Sequence, residues 1–394
     1  MKIALLLPES ADFGWRWRAA QYASHLMSLD DKSGSKIEVA IGLPRCDEEQ
    51  WRLLEAELLT AAPGVIVRHL GWERVPTDVA QRMYPQCKAE LCGIGTVTLP
   101  RDWGWNFVDC DAWIVFADPK LGAIYPVKPT AYYVKDLAVR YSPRSFAQSY
   151  DSEYWRVQDE AFRLWRQSPV VFANDPATID DIVGYAGVRR MRTRLTSISL
   201  PLKSDGGSLV AARNIVWIAE PYIAHDPVAA LEGLRIYQTE GGEFSTIVAG
   251  AEAFGFDPRE GQATLGMVPI RSRRSMLDAE FETCPSDAAM RRVLRRASFV
   301  WSSAIADGEN EGLLRAASQG LPFVGLKYPQ SVRLAESLKV KAFFYDRSEP
   351  DLIADALHQA TQYCLSEKQA ATAKPGPGAD WSAVVQALEE RLDG

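Results

Sequence analysis

Short apolar runs alternate with longer amphipathic stretches along the first half of the chain. Residues 2–8 (KIALLLP) form a continuous apolar run that ends at a proline, which is typical of a central strand buried on both faces of a parallel sheet. A loop over residues 10–14 and a helix over residues 15–29 with one apolar stripe follow it. Further strands are predicted at residues 37–41, 65–69, 112–116, 130–134 and 170–173. Strands that alternate with helices predict a doubly wound α/β domain.

A polar stretch with two adjacent glycines, at residues 199–212, separates this pattern from a second one. The later strands are predicted at residues 214–219, 246–249, 299–303, 322–326 and 342–345. The later helices are predicted at residues 228–239, 287–296, 311–319, 351–364 and 381–392. We therefore predict two α/β domains, an N-terminal one over residues 1–203 and a C-terminal one over residues 204–375.

The composition suits a folded protein of two domains. The chain has 394 residues, 47% of them hydrophobic and 24% charged, which excludes disorder for most of its length. Its net charge of −7 gives no general attraction for a polyanion, so nucleic acid is not expected as a partner. Six cysteines without a C-x-x-C pair indicate reduced thiols and a cytoplasmic protein. The apolar run at residues 2–8 is too short for a signal peptide or a membrane span.

The common catalytic motifs are missing from the sequence. It has no G-x-S-x-G, Walker or G-x-G-x-x-G element, which removes the usual support for a hydrolase, a kinase or a dehydrogenase. Its four histidines show no metal-binding spacing with cysteines or carboxylates. We therefore expect neither a metal nor a cofactor.

Three segments carry a resemblance to a known family. They are residues 131–141 (AYYVKDLAVRY), 170–182 (VVFANDPATIDDI) and 308–324 (GENEGLLRAASQGLPFV). Their order resembles that of the retaining GT-B glycosyltransferases, in the large family that includes many bacterial mannosyl- and glucosyltransferases. The resemblance implies the GT-B fold, in which two Rossmann-like domains face each other across a cleft. It also implies that residues 376–394 form a helix that crosses back to the N-terminal domain.

The resemblance places the nucleotide-sugar donor at the loop before the helix at residues 311–319. The N-terminus of a helix offers backbone N–H groups and a positive dipole end to a phosphate, while Glu and Asn side chains can accept hydrogen bonds from sugar hydroxyls. An acidic turn that only complements the helix dipole is the structural alternative. Gly14, in the first strand-to-helix loop, would let the backbone approach the donor phosphates. In the loop, Asp307 would lie near the donor sugar, and the implied donor-binding residues are Glu309, Asn310, Glu311, Gly312 and Leu313.

The chain departs from the family at several charged positions. Glu220 and His225 stand where the family has an Arg and a Lys against the diphosphate, and Arg315 stands where it has a carboxylate on the ribose. A carboxylate repels a diphosphate, so either this alignment is shifted by a residue or two, or other cations meet the phosphates. Lys135 and Asp136 replace the family's His-Asp pair as candidate catalytic residues, with a plain surface ion pair as the alternative.

These features predict a glycosyltransferase that moves a hexose from a nucleotide-diphosphate-sugar to a glycan or lipid-linked acceptor. The resemblance implies retention of configuration, no metal, and a role in bacterial surface-polysaccharide or glycoconjugate synthesis. Peripheral association with the inner face of the cytoplasmic membrane and the oligomeric state stay open. The alternative is a non-catalytic GT-B partner or scaffold of an active transferase, which the altered positions Lys135, Glu220 and Arg315 motivate.

Two placements follow from this hypothesis. The nucleotide is expected against the second domain, near the helix that begins at Glu311, because that helix start offers N–H groups to phosphate. Arg315 is expected to meet either a phosphate or Glu220, since both positions carry the opposite of the family's usual charge.

Lys135 and Asp136 provide the first test of catalysis. Both follow a predicted strand and should face residues 309–312 across the cleft, where Lys135 would donate to a donor-sugar or phosphate oxygen and Asp136 would orient it or accept from the incoming hydroxyl. Lys135→Ala and Asp136→Ala should each lower transfer activity strongly while the melting temperature changes little. Wild-type turnover in both variants would remove them from the site.

Overall fold

The computed structural model describes residues 1–9, 13–44, 48–85, 91, 93–118, 121–141, 152–196, 213–219, 226–250, 253, 278–284, 287–305, 310–366 and 381–392. The chain divides into two compact units. The first comprises Met1–Leu137, Ala147–Ile198 and Gly378–Gly394, and the second comprises Ala138–Phe146 and Ser199–Pro377.

The first unit is built on a parallel sheet. The strands of this unit are β1 (Lys2–Leu6), β2 (Glu38–Pro44), β3 (Ile66–Leu70), β4 (Trp72–Pro76), β5 (Thr96–Pro100), β6 (Ala112–Ala117), β7 (Thr130–Val134), β8 (Val170–Ala173) and β9 (Thr193–Leu195). The sheet order is β3-β2-β1-β6-β7-β8-β9, and every pairing between these strands is parallel. β4 and β5 form a separate antiparallel pair.

Helices connect the strands of the first unit, as the alternating pattern predicts. They are α1 (Phe13–Ser28), α2 (Glu48–Ala61), α3 (Thr77–Met83), α4 (Ser152–Trp165) and α5 (Pro176–Gly184), with 3₁₀ turns at Trp105–Phe107 and Arg190–Arg192. A further 3₁₀ turn, Ala138–Tyr141, follows β7 and belongs to the second unit. The predicted loop at 10–14 is partly wrong, because α1 already begins at Phe13 and Gly14 is its second residue. Residues 10–12 lie outside the described part of the chain.

The second unit repeats the same construction. Its strands are β10 (Asn214–Ile218), β11 (Ser245–Gly250), β12 (Ala279–Thr283), β13 (Phe299–Ser302), β14 (Phe323–Leu326) and β15 (Ala342–Tyr345). They pair in parallel in the order β12-β11-β10-β13-β14-β15. Its helices are α6 (Pro227–Thr239), α7 (Asp287–Leu294), α8 (Glu311–Gln319), α9 (Pro329–Leu338) and α10 (Pro350–Ser366).

Each parallel sheet has one position where its strand order changes direction. In the first unit this position lies between β1 and β6, and in the second it lies between β10 and β13. Open α/β sheets bind ligands outside the carboxyl ends of their strands at such a switch point, because the loops on either side diverge there and leave a crevice. The segments that follow β10 and β13 are therefore where the fold favours a site in the second unit.

The last helix, α11 (Ser382–Leu392), belongs to the first unit. Trp381, directly before it, packs its ring 4.4 Å from that of Tyr22 on α1 and 5.2 Å from that of Phe172 on β8. Val384, Val385 and Leu388 join the same core cluster. These side chains cover one face of the first sheet, so residues that follow the second unit in sequence complete the core of the first.

Removing this aromatic ring gives a test of that core. Trp381→Ala leaves a cavity beside Tyr22 and Phe172, and it should lower the free energy of unfolding by about 3–5 kcal/mol. Arg391→Ala, on the exposed side of α11, is the matched control and should change it by less than about 0.5 kcal/mol. Urea unfolding followed by far-UV circular dichroism measures both. Equal stability of the two variants would contradict this packing.

Candidate functional site

The candidate site lies at the carboxyl edge of the second sheet, at its switch point. The predicted residues Glu220 and His225 follow β10 in sequence, and Asp307 and Glu309 follow β13, but all four lie outside the described residues. Asn310, Glu311, Gly312 and Leu313 are described, and they form the start of α8 together with Arg315 one turn later. The structure thus brings five of the predicted residues to one helix end.

Asn310 begins this helix in the left-handed region, with φ 52° and ψ 49°, a conformation that asparagine tolerates better than most residues. Its side chain is buried and does not cap its own helix; instead, the Ser331 hydroxyl donates to Asn310 Oδ1. Ser331 lies in the first turn of α9, so this hydrogen bond ties together the starts of two helices. Sequence reasoning missed Ser331, because a contact across 21 residues leaves no local pattern.

The first turn of α8 presents backbone N–H groups at the switch point. Among the described residues, the helical hydrogen bonding of α8 begins at the Leu314 N–H, which donates to the Asn310 carbonyl at 2.9 Å. The N–H groups that precede Leu314 in an α-helix have no intrahelical acceptor, and the positive end of the helix dipole coincides with them. This helix end is therefore suited to a phosphate, as the sequence predicts.

Gly312 lets α8 approach the sheet closely. A Cβ atom at this position would lie 2.8 Å from Ser302 Cβ on β13 and 3.2 Å from Phe323 Cε2 on β14. Real Cβ atoms do not tolerate the first distance, so a side chain here would push the helix start away from both strands. The glycine therefore has a packing role, which fixes the helix end against the switch point.

The side chain of Leu313 belongs to the core of the second unit. Its side chain is fully buried in the core cluster with Val216, Val300 and Ala316. A donor-binding role for Leu313 is therefore confined to its backbone N–H, and that role stays a prediction.

Arg315 forms an ion pair within its own helix. Its Nε and Nη2 atoms lie 2.8 and 2.7 Å from Glu311 Oε1, and its side chain is only 9% exposed. The guanidinium thus neutralises the carboxylate that α8 carries in its first turn. It also opposes the effect of burial on Cys284, although burial dominates and raises the pKa of that thiol to about 11. The predicted contacts of Arg315 with a phosphate or with Glu220 stay predictions.

Aromatic side chains form hydrogen bonds with residues 302–304, at the end of β13 and directly after it. Trp217 on β10 stacks on Trp301 on β13, with ring centroids 4.6 Å apart, and the Trp217 Nε1–H donates to Ser303 Oγ at 3.0 Å. The Tyr345 and Tyr328 hydroxyls donate to the carbonyls of Ser302 and Ala304, at 3.3 and 3.2 Å. These bonds tie the end of β13 to side chains from β10, from β15 and from the β14–α9 connection, so they position the backbone at residues 302–304. None of these anchors was predicted as part of the site.

In the first unit, Lys135 and Asp136 directly follow β7, as predicted. The Lys135 ammonium lies 5.4 Å from the ring centroid of Trp15, within the range of a cation–π contact. Trp15 is itself buried against Phe116 and Tyr133. This contact keeps Lys135 beside the start of α1, at the carboxyl edge of the first sheet. The predicted approach of Lys135 and Asp136 to residues 309–312 stays a prediction.

Among the residues that the structure describes, no group of three or more His, Cys, Asp or Glu side chains is arranged to hold a metal ion. In the same part of the chain, every helix is too short or too polar to cross a membrane.

Comparison of the sequence with protein-family models gives no match, and comparison with curated proteins gives none either. Solved structures do match along the whole chain. Anabaena Alr3699/HepE, in a crystal structure with UDP and glucose, matches with a TM-score of 0.61 and 14% identity over 99% of both chains. The chain has the GT-B fold.

Two further solved structures that match the chain are a glycosyltransferase and an epimerase. A glycosyltransferase from Rickettsia africae has a TM-score of 0.53 and 10% identity, over 100% of this chain and 97% of that one. The UDP-GlcNAc 2-epimerase of Methanocaldococcus jannaschii, solved with UDP-GlcNAc and UDP, has a TM-score of 0.52 and 10% identity over 99% and 100%. At these identities the comparison establishes the GT-B fold, which confirms the predicted fold class.

Gly312 allows a direct test of the site's construction. Gly312→Ala places a methyl group against Ser302 and Phe323, and it should lower the free energy of unfolding by about 1–3 kcal/mol through overpacking. Gly184→Ala is the matched control, because a Cβ atom at the end of α5 meets nothing within 4 Å, and it should be neutral or stabilising by up to about 1 kcal/mol. Urea unfolding distinguishes the two variants. A neutral Gly312→Ala variant would contradict the close packing of α8.

Proposed function

We propose that this protein is a glycosyltransferase that transfers a hexose from a nucleotide-diphosphate-sugar to a glycan or lipid-linked acceptor. The proposal includes retention of configuration, catalysis without a metal, and a role in bacterial surface-polysaccharide or glycoconjugate synthesis. It includes a cytoplasmic location, in which peripheral membrane contact is an option.

One observation carries the proposal: the start of α8, whose backbone N–H groups would suit an anion, lies at the switch point of the second sheet. The Asn310–Ser331 hydrogen bond and the close approach at Gly312 hold that helix end in place. A diphosphate is the part of a nucleotide-sugar that such a helix end recognises. The crystal structures of HepE and of the archaeal epimerase contain UDP, which makes UDP the first nucleotide to test.

In this proposal, the second unit contributes to catalysis by stabilising the negative charge of the departing diphosphate. Transfer of the sugar leaves negative charge on the departing diphosphate, and preorganised N–H groups at a helix start stabilise such charge without reorganising during the reaction. The Glu311–Arg315 pair keeps the carboxylate of the first turn neutralised, so that it does not repel the diphosphate. In this proposal Asp307 and Glu309 contact the donor sugar, and Lys135 and Asp136 serve the transfer step.

The proposal is tested first by binding and then by turnover. Isothermal titration with UDP and with UDP-glucose should give saturable binding to the full-length protein. UDP release from UDP-glucose should then rise when mono- and disaccharide acceptors are added. Failure to bind either compound would contradict the proposal and favour the non-catalytic partner of a transferase. Conversion of a UDP-sugar into its epimer without an acceptor would contradict transfer.

The ion pair of α8 generates a prediction about affinity. Arg315→Met leaves the Glu311 carboxylate without its neutralising guanidinium where the diphosphate is proposed to bind, so the dissociation constant for UDP should rise about tenfold, or about 1.4 kcal/mol. The double variant Glu311→Gln/Arg315→Met removes both charges and should restore the affinity to within about threefold of wild type. Titration calorimetry measures all three proteins.

The control for this charge test is a second ion pair of the same unit. Arg235 Nη2 and Glu232 Oε1 lie 2.7 Å apart on α6, more than one turn beyond the start of that helix. Arg235→Met should leave the affinity for UDP unchanged. An equal loss in Arg315→Met and in the double variant would mean that Arg315 contacts the phosphate itself. No loss in either would place the diphosphate away from α8.

A further inference from the structure

Gln330 is a buried polar side chain whose carboxamide has no hydrogen-bond partner in the part of the chain that the structure describes. It is the second residue of α9, directly after the connection that leaves the carboxyl end of β14, and it is only 1% exposed. Among the described residues, neither its Nε2 nor its Oε1 atom forms a hydrogen bond. A buried carboxamide normally has partners for both atoms, because leaving them unsatisfied destabilises the folded state.

The polar groups beside Gln330 in sequence are directed elsewhere. The Ser331 hydroxyl donates to Asn310 Oδ1, and the Tyr328 hydroxyl donates to the Ala304 carbonyl. The Ser331–Asn310 bond also places the first turn of α9 beside the start of α8. The unsatisfied carboxamide therefore lies in the helix turn that is bonded to the proposed diphosphate site.

We propose that the Gln330 carboxamide binds a vicinal diol of the sugar-nucleotide. An amide presents one acceptor oxygen and one donor NH₂ group side by side, and two neighbouring hydroxyls match that pair, since each can donate and accept. A phosphate would satisfy only the NH₂ group and would face the amide oxygen with negative charge. The two sugars attached directly to a diphosphate are the ribose and the hexose, and both carry vicinal hydroxyls. The assignment rests on the proposed function and adds a specificity-determining residue to it.

The test combines ligand-free stability with ligand affinity. Gln330→Met keeps the length of the side chain and removes both polar atoms, so the ligand-free protein should melt about 2–4 °C higher. The dissociation constant for a ligand that uses the carboxamide should rise at least tenfold, because the diol loses its partner. A residue with a purely structural role would not change stability and affinity in opposite directions. Gln330→Leu is measured in parallel as a second apolar replacement.

Thr246→Val is the matched control. Thr246 Oγ1 is also buried and forms no hydrogen bond with any residue that the structure describes. Thr246 is, however, the second residue of β11, near the amino end of that strand. Its replacement should raise the melting temperature and leave the dissociation constants within twofold of wild type.

Three probes identify the diol: UDP, 2′-deoxy-UDP and UDP-glucose. A ribose contact predicts that Gln330→Met weakens binding of UDP and UDP-glucose alike and does not change binding of 2′-deoxy-UDP. A hexose contact predicts that only UDP-glucose loses affinity.

Unchanged affinity for all three probes in both Gln330 variants, with wild type binding normally, would overturn the assignment and leave the proposed function intact. A loss of equal size for all three would place the carboxamide on the base and overturn it too. Absence of binding by the wild type would overturn both.

Discussion

The reversal of strand order beside β10 is the constraint on which the second unit depends. β10 pairs in parallel with β11 on one side and with β13 on the other, and each of these strands is followed by a connection that leaves the same edge. Parallel pairing requires crossover connections, and right-handed crossovers on the two sides of β10 place their helices on opposite faces of the sheet. Loops generally diverge at such a switch point, and the helix that begins at residue 311 is the one that follows β13 there.

At this switch point, the packing and the charge at the start of α8 determine which ligands the helix end suits. Gly312 allows the helix to sit against β13 and β14, and Asn310 adopts a left-handed conformation that a bulky or β-branched residue would resist. Arg315 cancels the one described carboxylate of the first turn. Each of these features acts on the same few atoms, the backbone N–H groups at the start of α8. The candidate site is therefore formed by the main chain, while the surrounding side chains fix its position and neutralise the nearby carboxylate.

Much of the fold could be predicted, because buried parallel strands are continuous apolar runs. Strands β7, β8 and β15 and helix α8 begin and end at the predicted residues. The edge strand β12 was missed, since Glu280 and Glu282 point to Arg296 and interrupt any apolar run. β4 was missed for a similar reason, as Glu73 and Arg74 are exposed. Five of the residues predicted from the resemblance, residues 310–313 and 315, lie at one helix end because they are neighbours in sequence. Ser331 and Gln330 owe their position to tertiary contacts that no local pattern records.

The position of α11 has a consequence for the order in which the chain folds. Trp381, Val384 and Leu388 supply part of the first unit's core, yet they are translated only after every strand of the second unit. While the ribosome is still making the second unit, Tyr22 and Phe172 therefore lack their covering ring, and the nascent first unit exposes an apolar face. The second unit, whose described core needs no later segment, can reach its native packing first. Co-translational folding of this protein would then depart from the usual N-to-C order, because the N-terminal sheet can complete its core only after residue 388 has left the ribosome.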